Sequence, residues 1–162
     1  SGEEVSINVR RDRIVGALHN YQDNIIVLFS GTYDPNVYMG IFDTINGQYR
    51  ILNAAGNERY IVVSLTSRRT FDIVNDMNQV LEENFNEHYL DFRTYIMENG
   101  LTDAGIEATQ QDQADLSNRY IPSSLLQRDL VDGNEQFNEL LANQLTLKMQ
   151  ELGYIEASTE DE

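Results

Sequence analysis

The sequence predicts an α/β protein built as a three-layer sandwich, in which helices cover both faces of a parallel sheet. Three short apolar runs, rich in β-branched residues, are typical of strands that are buried on both faces. Amphipathic helical patterns separate these runs, and such alternation of strands and helices favours a parallel sheet. With 162 residues, of which 41% are hydrophobic, the chain can form a buried core. We expect one domain over residues 1–155 and an acidic tail over residues 156–162.

The three apolar runs predict both the strands and the position of a site. The predicted strands are Ile25–Phe29, Tyr60–Leu65 and the weaker Tyr89–Phe92. Parallel sheets carry their sites on the loops that follow the carboxyl ends of the strands. The candidate loops are therefore Ser30–Asn36, Thr66–Thr70, Arg93–Tyr95 and Asp129–Asn134.

Two helices are predicted between the strands and a third near the end of the chain. The first has apolar residues at helical spacing, namely Val37, Ile41, Phe42, Ile45, Tyr49 and Leu52. The second has a cleaner stripe, formed by Phe71, Val74, Met77, Asn78, Leu81 and Phe85. The last spans about residues 135–152 and ends at Gly153, since glycine favours a helix C-terminus. We expect the stretch from Asn99 to about Arg128 to be irregular.

Composition excludes several classes of function. The formal net charge is -16, from 27 acidic and 11 Lys and Arg residues, which disfavours nucleic acid and anionic membranes as partners. No apolar run is long enough to span a membrane. Cysteine is absent, which excludes disulfides, thiolate zinc sites and a cysteine nucleophile. We predict no metal and no cofactor.

Four ordered segments resemble the SGNH (GDSL) hydrolases, a flavodoxin-like family of esterases and carbohydrate deacetylases. The likeness is to the versions carried on bacteriophage tail proteins, and it spans about residues 25–155. Ile26–Asp34 resembles the family's third strand and the Gly-x-Asn-Asp block that follows it, and Tyr60–Thr66 resembles the next strand. Tyr89–Tyr95, followed by Asn99–Leu101, resembles the phage-type members. Ile121–Ala142 resembles the carboxyl-terminal block, in which an Asp-x-x-His motif precedes an amphipathic helix.

The departures from the family pattern concern its catalytic residues. The Gly-Asp-Ser turn that carries the nucleophile is missing, so the first strand is absent or altered. Tyr33 stands where the resemblance implies the oxyanion-hole asparagine, and Asp132 stands where it implies the histidine base. The relic positions are Gly31, Tyr33, Asp34, Asp129 and Asp132. A serine hydroxyl needs an adjacent base, and an aspartate is a poor base at neutral pH. We therefore expect no catalytic residues.

The remaining site residues are predicted to bind a ligand, and each has a structural alternative. The predicted binding residues are Tyr33, Asn36, Arg68, Arg69, Tyr95 and Asn134. Tyrosines in this region could form a platform for sugar rings, or could simply pack half-buried around the loops, which we favour. Arg68 and Arg69 could contact an anion or a partner, or form a solvated pair. Around Asn134 we favour helix capping over a relic or cation site. Both histidines, His19 and His88, are expected to be surface residues.

The predicted function is a non-catalytic structural or binding module. The resemblance implies that the protein is part of a virion or tail fibre and acts outside the cell. Its expected partners are a host-surface glycan, further copies of this chain or other virion proteins. Without the family's first strand, Ile25–Phe29 would be an exposed apolar edge. We expect Val5–Val9, a neighbouring subunit or a further part of a longer parent chain to cover it. One alternative is an active esterase or deacetylase completed by another chain or segment. A second is an acidic DNA mimic that inhibits a host enzyme.

Overall fold

The computed structural model describes residues 24–31, 40–67 and 71–156. Within these ranges the protein is α/β, with a three-stranded parallel sheet and six α-helices. The strands are β1 (Ile26–Leu28), β2 (Tyr60–Val63) and β3 (Tyr89–Leu90). The helices are α1 (Gly40–Ala55), α2 (Phe71–Phe85), α3 (Phe92–Glu98), α4 (Gly100–Asp103), α5 (Gln110–Ser117) and α6 (Glu135–Glu151). None of the helices in the described ranges is long and apolar enough to cross a membrane.

The central strand of the described sheet is β2, with β1 on one side and β3 on the other. Both pairings are parallel, and Val27 lies opposite Ile61 while Val63 lies opposite Leu90. Because side chains alternate between the two faces of a strand, β2 contributes to the core on both sides of the sheet. The alternation explains why its apolar residues form a continuous run.

One face of the sheet packs against α1 and α2. Its core cluster joins Leu28 and Val62 of the strands to apolar residues of these helices, namely Ile45, Leu52, Val74, Met77, Leu81 and Phe85. The buried positions follow the spacing of one helical face in both helices, as the sequence predicts. Asn78, which lies in the same stripe, accepts from the Leu65 amide at 2.7 Å and donates to the Leu65 carbonyl at 3.1 Å.

The other face packs against α3, α4 and α6. Its core cluster joins Ile61 and Val63 of β2 to Phe92, Ile96, Leu101, Ile121, Leu125, Leu126, Phe137 and Leu140. Phe92 and Phe137 meet edge to face, with ring centroids 5.1 Å apart. The predicted last helix is confirmed, and its inward residues fall on this face.

Two predictions of secondary structure were wrong. The third strand ends at Leu90, because Asp91 caps α3 by accepting a hydrogen bond from the Thr94 amide at 3.1 Å. The predicted loop Arg93–Tyr95 therefore lies inside a helix. The stretch expected to be irregular contains α4, α5 and a 3₁₀ turn at Ser123–Leu125. These elements are short, and α5 has almost no apolar stripe, so periodicity does not indicate them.

Three helices end in the same backbone motif. In each, two successive amides bond to the last turn, and the first of the two residues has a positive φ, the pattern of a Schellman C-cap. The positive-φ residue is Gly105 after α4, Arg119 after α5 and Gly153 after α6, with φ of 67°, 59° and 69°. The predicted C-cap role of Gly153 is confirmed. Arg119 departs from the glycine that this conformation favours.

The β1 strand is an edge of the described sheet, and part of it is exposed. Val27 retains 37% and Phe29 retains 39% of their accessible surface. Val27 lies on the same face of the sheet as its partner Ile61. Helix α6 packs against β2 on this face but covers β1 less. The segment Val5–Val9, predicted as one possible cover, lies outside the described residues.

Candidate functional site

A cavity of 340 Å³ opens at the carboxyl end of the sheet, and we name it the sheet-end cavity. Phe29 enters it directly after β1 and Thr66 shortly after β2. The remaining lining comes from the loop before α6 and from its first turn, namely Gln127, Val131, Asp132, Gly133, Phe137 and Asn138. Two of the four predicted loops, Thr66–Thr70 and Asp129–Asn134, thus contribute residues to one place, together with Phe29 from the end of the first predicted strand. This is the end of the sheet at which parallel sheets carry their sites.

The loop from residues 126 to 133 is closed by its own hydrogen bonds. Leu126 and Gly133 form an antiparallel bridge, and the Gln127 amide donates to the Asp132 carbonyl at 2.8 Å. Inside the loop, the Asp129 carboxylate accepts from the amides of Val131 and Asp132 at 3.0 and 3.1 Å. These backbone hydrogen bonds lower the pKa of Asp129. Asp129 therefore shapes the loop, while the side chain of Asp132 lines the cavity.

The start of α6 fixes the floor of the cavity. The Asn134 side chain caps the helix, since its oxygen accepts from the Phe137 amide at 3.1 Å, and its amide donates to the Ser124 carbonyl at 2.8 Å. The capping prediction is confirmed at this residue. Gly133 is required beside it, because a Cβ at this position would overlap the Phe137 ring. The ring is only 3% exposed, so it packs between Gly133 and the core.

Several predicted site residues fall elsewhere. Tyr33, Asp34, Asn36, Arg68 and Arg69 lie outside the described residues. Gly31 follows β1 with φ of 102°, a conformation that favours glycine. Tyr95 lies on α3, where its hydroxyl donates to the Asp103 carboxylate at 2.7 Å. Burial and this carboxylate raise the pKa of Tyr95 to about 12. Tyr95 does not line the sheet-end cavity.

His88 lies at the other end of the sheet, as the sequence predicts, but it is not an ordinary surface residue. It immediately precedes β3, stacks on the Tyr60 ring with centroids 4.0 Å apart, and is half-buried. Its Nδ1 lies 3.0 Å from the Tyr60 carbonyl oxygen and 3.0 Å from the Tyr154 hydroxyl. A carbonyl oxygen can only accept, so Nδ1 carries a hydrogen. His88 therefore ties Tyr154, just after α6, to the amino end of β2.

The lining of the sheet-end cavity has the chemistry of a binding site. It offers an exposed aromatic ring at Phe29, the hydroxyl of Thr66, the carboxylate of Asp132 and the amides of Gln127 and Asn138. A ligand could stack on the ring and exchange hydrogen bonds with the polar groups. No histidine is among the described lining residues, and the described part of the chain has no cluster of three His, Asp or Glu residues that could hold a metal.

Three buried charged residues lie outside this cavity, and sequence reasoning predicted the burial of none of them. Asp112 and Asp115 on α5 are 0% and 2% exposed, and they hold the Ser123–Leu125 turn through its amides and hydroxyls. Arg93 on α3 is 4% exposed. The Asp112 signal was present in the sequence as Thr109 followed three residues later by an acid, a capping box. Nothing in the sequence indicates that Arg93 is buried.

Comparison with known proteins gives no identification. No protein-family model, no curated protein and no solved structure matches this chain. The likeness to the SGNH hydrolases therefore stays a prediction from the sequence.

Proposed function

We propose that this protein is a non-catalytic structural or binding module built on an SGNH-type three-layer sandwich, and that its ligand occupies the sheet-end cavity. The core clusters on the two faces of β2 support the layered arrangement. The cavity position supports the site, because open α/β sheets bind ligands beyond the carboxyl ends of their strands.

The observation that carries the proposal is that Thr66 and Asp132 line the same cavity, and that no imidazole is among its described lining residues. Acyl transfer by a hydroxyl needs a base within hydrogen-bond reach, poised near neutral pH. His88, the histidine in the described ranges, is held at the opposite end of the sheet by Tyr60 and Tyr154. Asp132 is exposed, and solvated carboxylates are in general weak bases for a hydroxyl.

A glycan is the ligand class that this lining supports best. Sugars present apolar C–H faces and hydroxyl edges, so they bind to aromatic rings flanked by amides and carboxylates. Phe29 supplies an exposed ring, and Gln127, Asp132 and Asn138 supply the polar groups. The SGNH hydrolases, which the sequence resembles, include carbohydrate deacetylases, and this supports the choice of a glycan.

The phage-tail setting is the second part of the proposal. It places the protein in a virion, outside the cell, with further copies or other virion proteins as partners. The exposed edge of β1 supports a role for such contacts, because an open strand with apolar side chains such as Val27 pairs readily with a neighbouring chain.

A glycan array probed with the labelled protein tests the binding function. We expect binding to one class of surface glycan, weakened about tenfold or more in Phe29→Ala because the stacking face is lost. Phe42→Ala is the matched control, since Phe42 is a 54% exposed phenylalanine on α1 that does not line the cavity. The control should bind like the wild type.

Two results would contradict the glycan proposal. The first is an array on which no glycan binds the wild type above background. The second is binding that Phe29→Ala and Phe42→Ala weaken equally, because that result would place the contact outside the sheet-end cavity.

A further inference from the structure

Three exposed apolar side chains belong to the segments that form the sheet-end cavity, and we name them the apolar rim: Phe29, Leu130 and Val131. They retain 39%, 41% and 37% of their accessible surface. Phe29 and Val131 line the cavity, and Leu130 directly precedes Val131 in the loop. None of the three belongs to the core clusters that the described residues form. Exposed apolar groups bordered by polar ones are typical of a binding surface.

The loop that carries Leu130 and Val131 keeps its shape without burying them. The Leu130 amide donates to the Gln127 carbonyl at 3.0 Å, and the Gln127 side chain donates to the Gly133 carbonyl at 3.1 Å. These hydrogen bonds do not use the leucine side chain. Leu130 has φ of 58°, a conformation that suits glycine or asparagine better. Strained backbone is concentrated at functional positions, so an exposed leucine held in this way favours a role in binding.

The polar part of the lining favours an uncharged ligand. The amides of Gln127 and Asn138 and the hydroxyl of Thr66 can bond with sugar hydroxyls. Asp132 is the one charged side chain among the described lining residues, and the whole chain carries a net charge of -16. Both charges repel a carboxylate, sulfate or phosphate on the ligand.

We propose that the sheet-end cavity selects a deoxyhexose, a sugar whose exocyclic carbon is a methyl group, and that this methyl packs on the apolar rim. The inference rests on the glycan binding proposed above. In an ordinary hexose the same carbon carries a hydroxyl, and in a uronic acid it is a carboxylate. A methyl group gains from burial against apolar side chains, whereas a hydroxyl buried there has no partner.

An acetyl group also ends in a methyl, but the rim is less suited to it. An acetyl group carries a carbonyl oxygen, which needs a donor when it is buried. The side chains of the rim have no donor. The backbone amides of Leu130 and Val131 already donate within the loop, to Gln127 and Asp129. A methyl attached directly to the sugar skeleton brings no such requirement.

Ligand-observed NMR titration of the full chain with matched methyl glycosides tests the proposal. Each set keeps one ring configuration (D-gluco, D-galacto, D-manno, L-galacto or L-manno) and changes the exocyclic carbon from methyl to hydroxymethyl to carboxylate. In at least one set we expect the methyl form to bind about fivefold more tightly than the hydroxymethyl form. The carboxylate form should bind about tenfold more weakly than the hydroxymethyl form, or not at all.

Two valine variants locate the methyl contact. Threonine keeps the shape of valine and replaces one methyl by a hydroxyl. Val131→Thr should therefore reduce the preference for the methyl form to about twofold or less. Val27→Thr is the matched control, since Val27 also retains 37% of its surface but does not line the cavity. The control should keep the preference of the wild type.

A third variant tests the strained leucine. Leu130→Asn places a residue that accepts this φ and removes the apolar side chain. It should leave the Tm of the free protein unchanged or raise it, and weaken the methyl form about threefold. The hydroxymethyl form should lose less affinity.

Four outcomes would overturn the proposal. One is equal affinity for the methyl and hydroxymethyl forms in every set. Another is tighter binding of an acetylated hexose than of the deoxyhexose. The third is an equal loss of preference in Val131→Thr and Val27→Thr. In these three cases a sugar still binds, so the glycan proposal stands. The fourth is that none of the methyl glycosides binds, and the glycan array then decides separately whether the glycan proposal fails as well.

Discussion

Two buried regions of charge in this protein differ in how fully their hydrogen bonds are satisfied. The Asp112 carboxylate accepts from the amides and hydroxyls of Thr109 and Ser124 at 2.6 to 2.9 Å. Its neighbour Asp115 accepts from the amide and hydroxyl of Ser123. Arg93, which is buried to a similar degree, donates to two carbonyl groups, and its buried Nε has no acceptor among the described residues.

The difference teaches that burial of a charge does not by itself mark a ligand site. A carboxylate saturated by donors of its own chain stabilises the fold, and it leaves little capacity for a ligand. A guanidinium with a buried donor that has no acceptor is costly to the fold. We therefore assign a stabilising structural role to Asp112 and Asp115 and not to Arg93.

The largest effect is expected for Asp112→Ala. This change removes the acceptor of four hydrogen bonds, from the amides and hydroxyls of Thr109 and Ser124, and hydrogen bonds to charged groups are the stronger ones. We expect the free energy of unfolding to fall by about 3 kcal/mol, measured by urea denaturation. Asp76→Ala, at an exposed position of α2, should change it by at most about 0.5 kcal/mol.

The same measurement on Arg93→Met sharpens the contrast. Methionine keeps much of the volume and removes an unpaired charge, so we expect a loss of about 1 kcal/mol or less. A loss for Arg93→Met that equals or exceeds the loss for Asp112→Ala would contradict the assignment, because Arg93 would then be the better satisfied group.

A smaller loss of stability is expected when the pH is lowered and Asp112 becomes protonated. Burial raises the pKa of Asp112, but hydrogen bonds from Thr109 and Ser124 outweigh it and lower the pKa from 3.8 to about 2. Because the folded state binds the proton more weakly than the unfolded state, this contribution is complete above about pH 4 and is lost as the pH falls through about 2. It amounts to about 2 kcal/mol.

Urea denaturation between about pH 2 and pH 5 measures this contribution. In Asp112→Asn the corresponding part of the pH dependence should vanish, because the amide does not titrate. An unchanged pH dependence in Asp112→Asn would show that other carboxylates carry it.

The smallest change in the free energy of unfolding is expected for substitutions at the positive-φ residues that follow α5 and α6. We expect Arg119→Gly to raise the free energy of unfolding by about 1 kcal/mol, and Gly153→Ala to lower it by about the same amount. No atom lies within 4 Å of the Cβ position at Gly153, so backbone strain alone is measured there. Destabilisation by Arg119→Gly in chemical denaturation would mean that the Arg119 side chain supports the fold.

The elements that sequence reasoning predicted are those with strong apolar patterns. Strands β1 and β2 and helices α1, α2 and α6 lie within a few residues of their predicted positions, since each buries a continuous run or stripe. The elements it missed, α3 to α5, are short, with seven, four and eight residues. They form because side chains such as Asp91 and Thr109 bond to backbone amides, and because tertiary contacts hold the turn at Ser123–Leu125.

The sites were predictable to different degrees. The position of the sheet-end cavity could be predicted, because parallel sheets carry their sites at the carboxyl ends of their strands. Thr66 and Asp132, from two of the predicted loops, both line this cavity. The burial of Arg93 could not be predicted, because Arg93–Tyr95 was expected to be an exposed site loop, whereas it is part of α3. Its burial depends on α3 packing against the sheet, a tertiary property that no local pattern encodes.

Reaction of the full chain with a fluorophosphonate probe, followed by mass spectrometry, tests most directly whether the hydrolase chemistry is lost. We predict that no serine is labelled and that p-nitrophenyl acetate is hydrolysed no faster than in buffer. A single serine that reacts with the probe, and whose labelling disappears in His19→Ala or His88→Ala, would show a working serine–histidine pair and contradict the account.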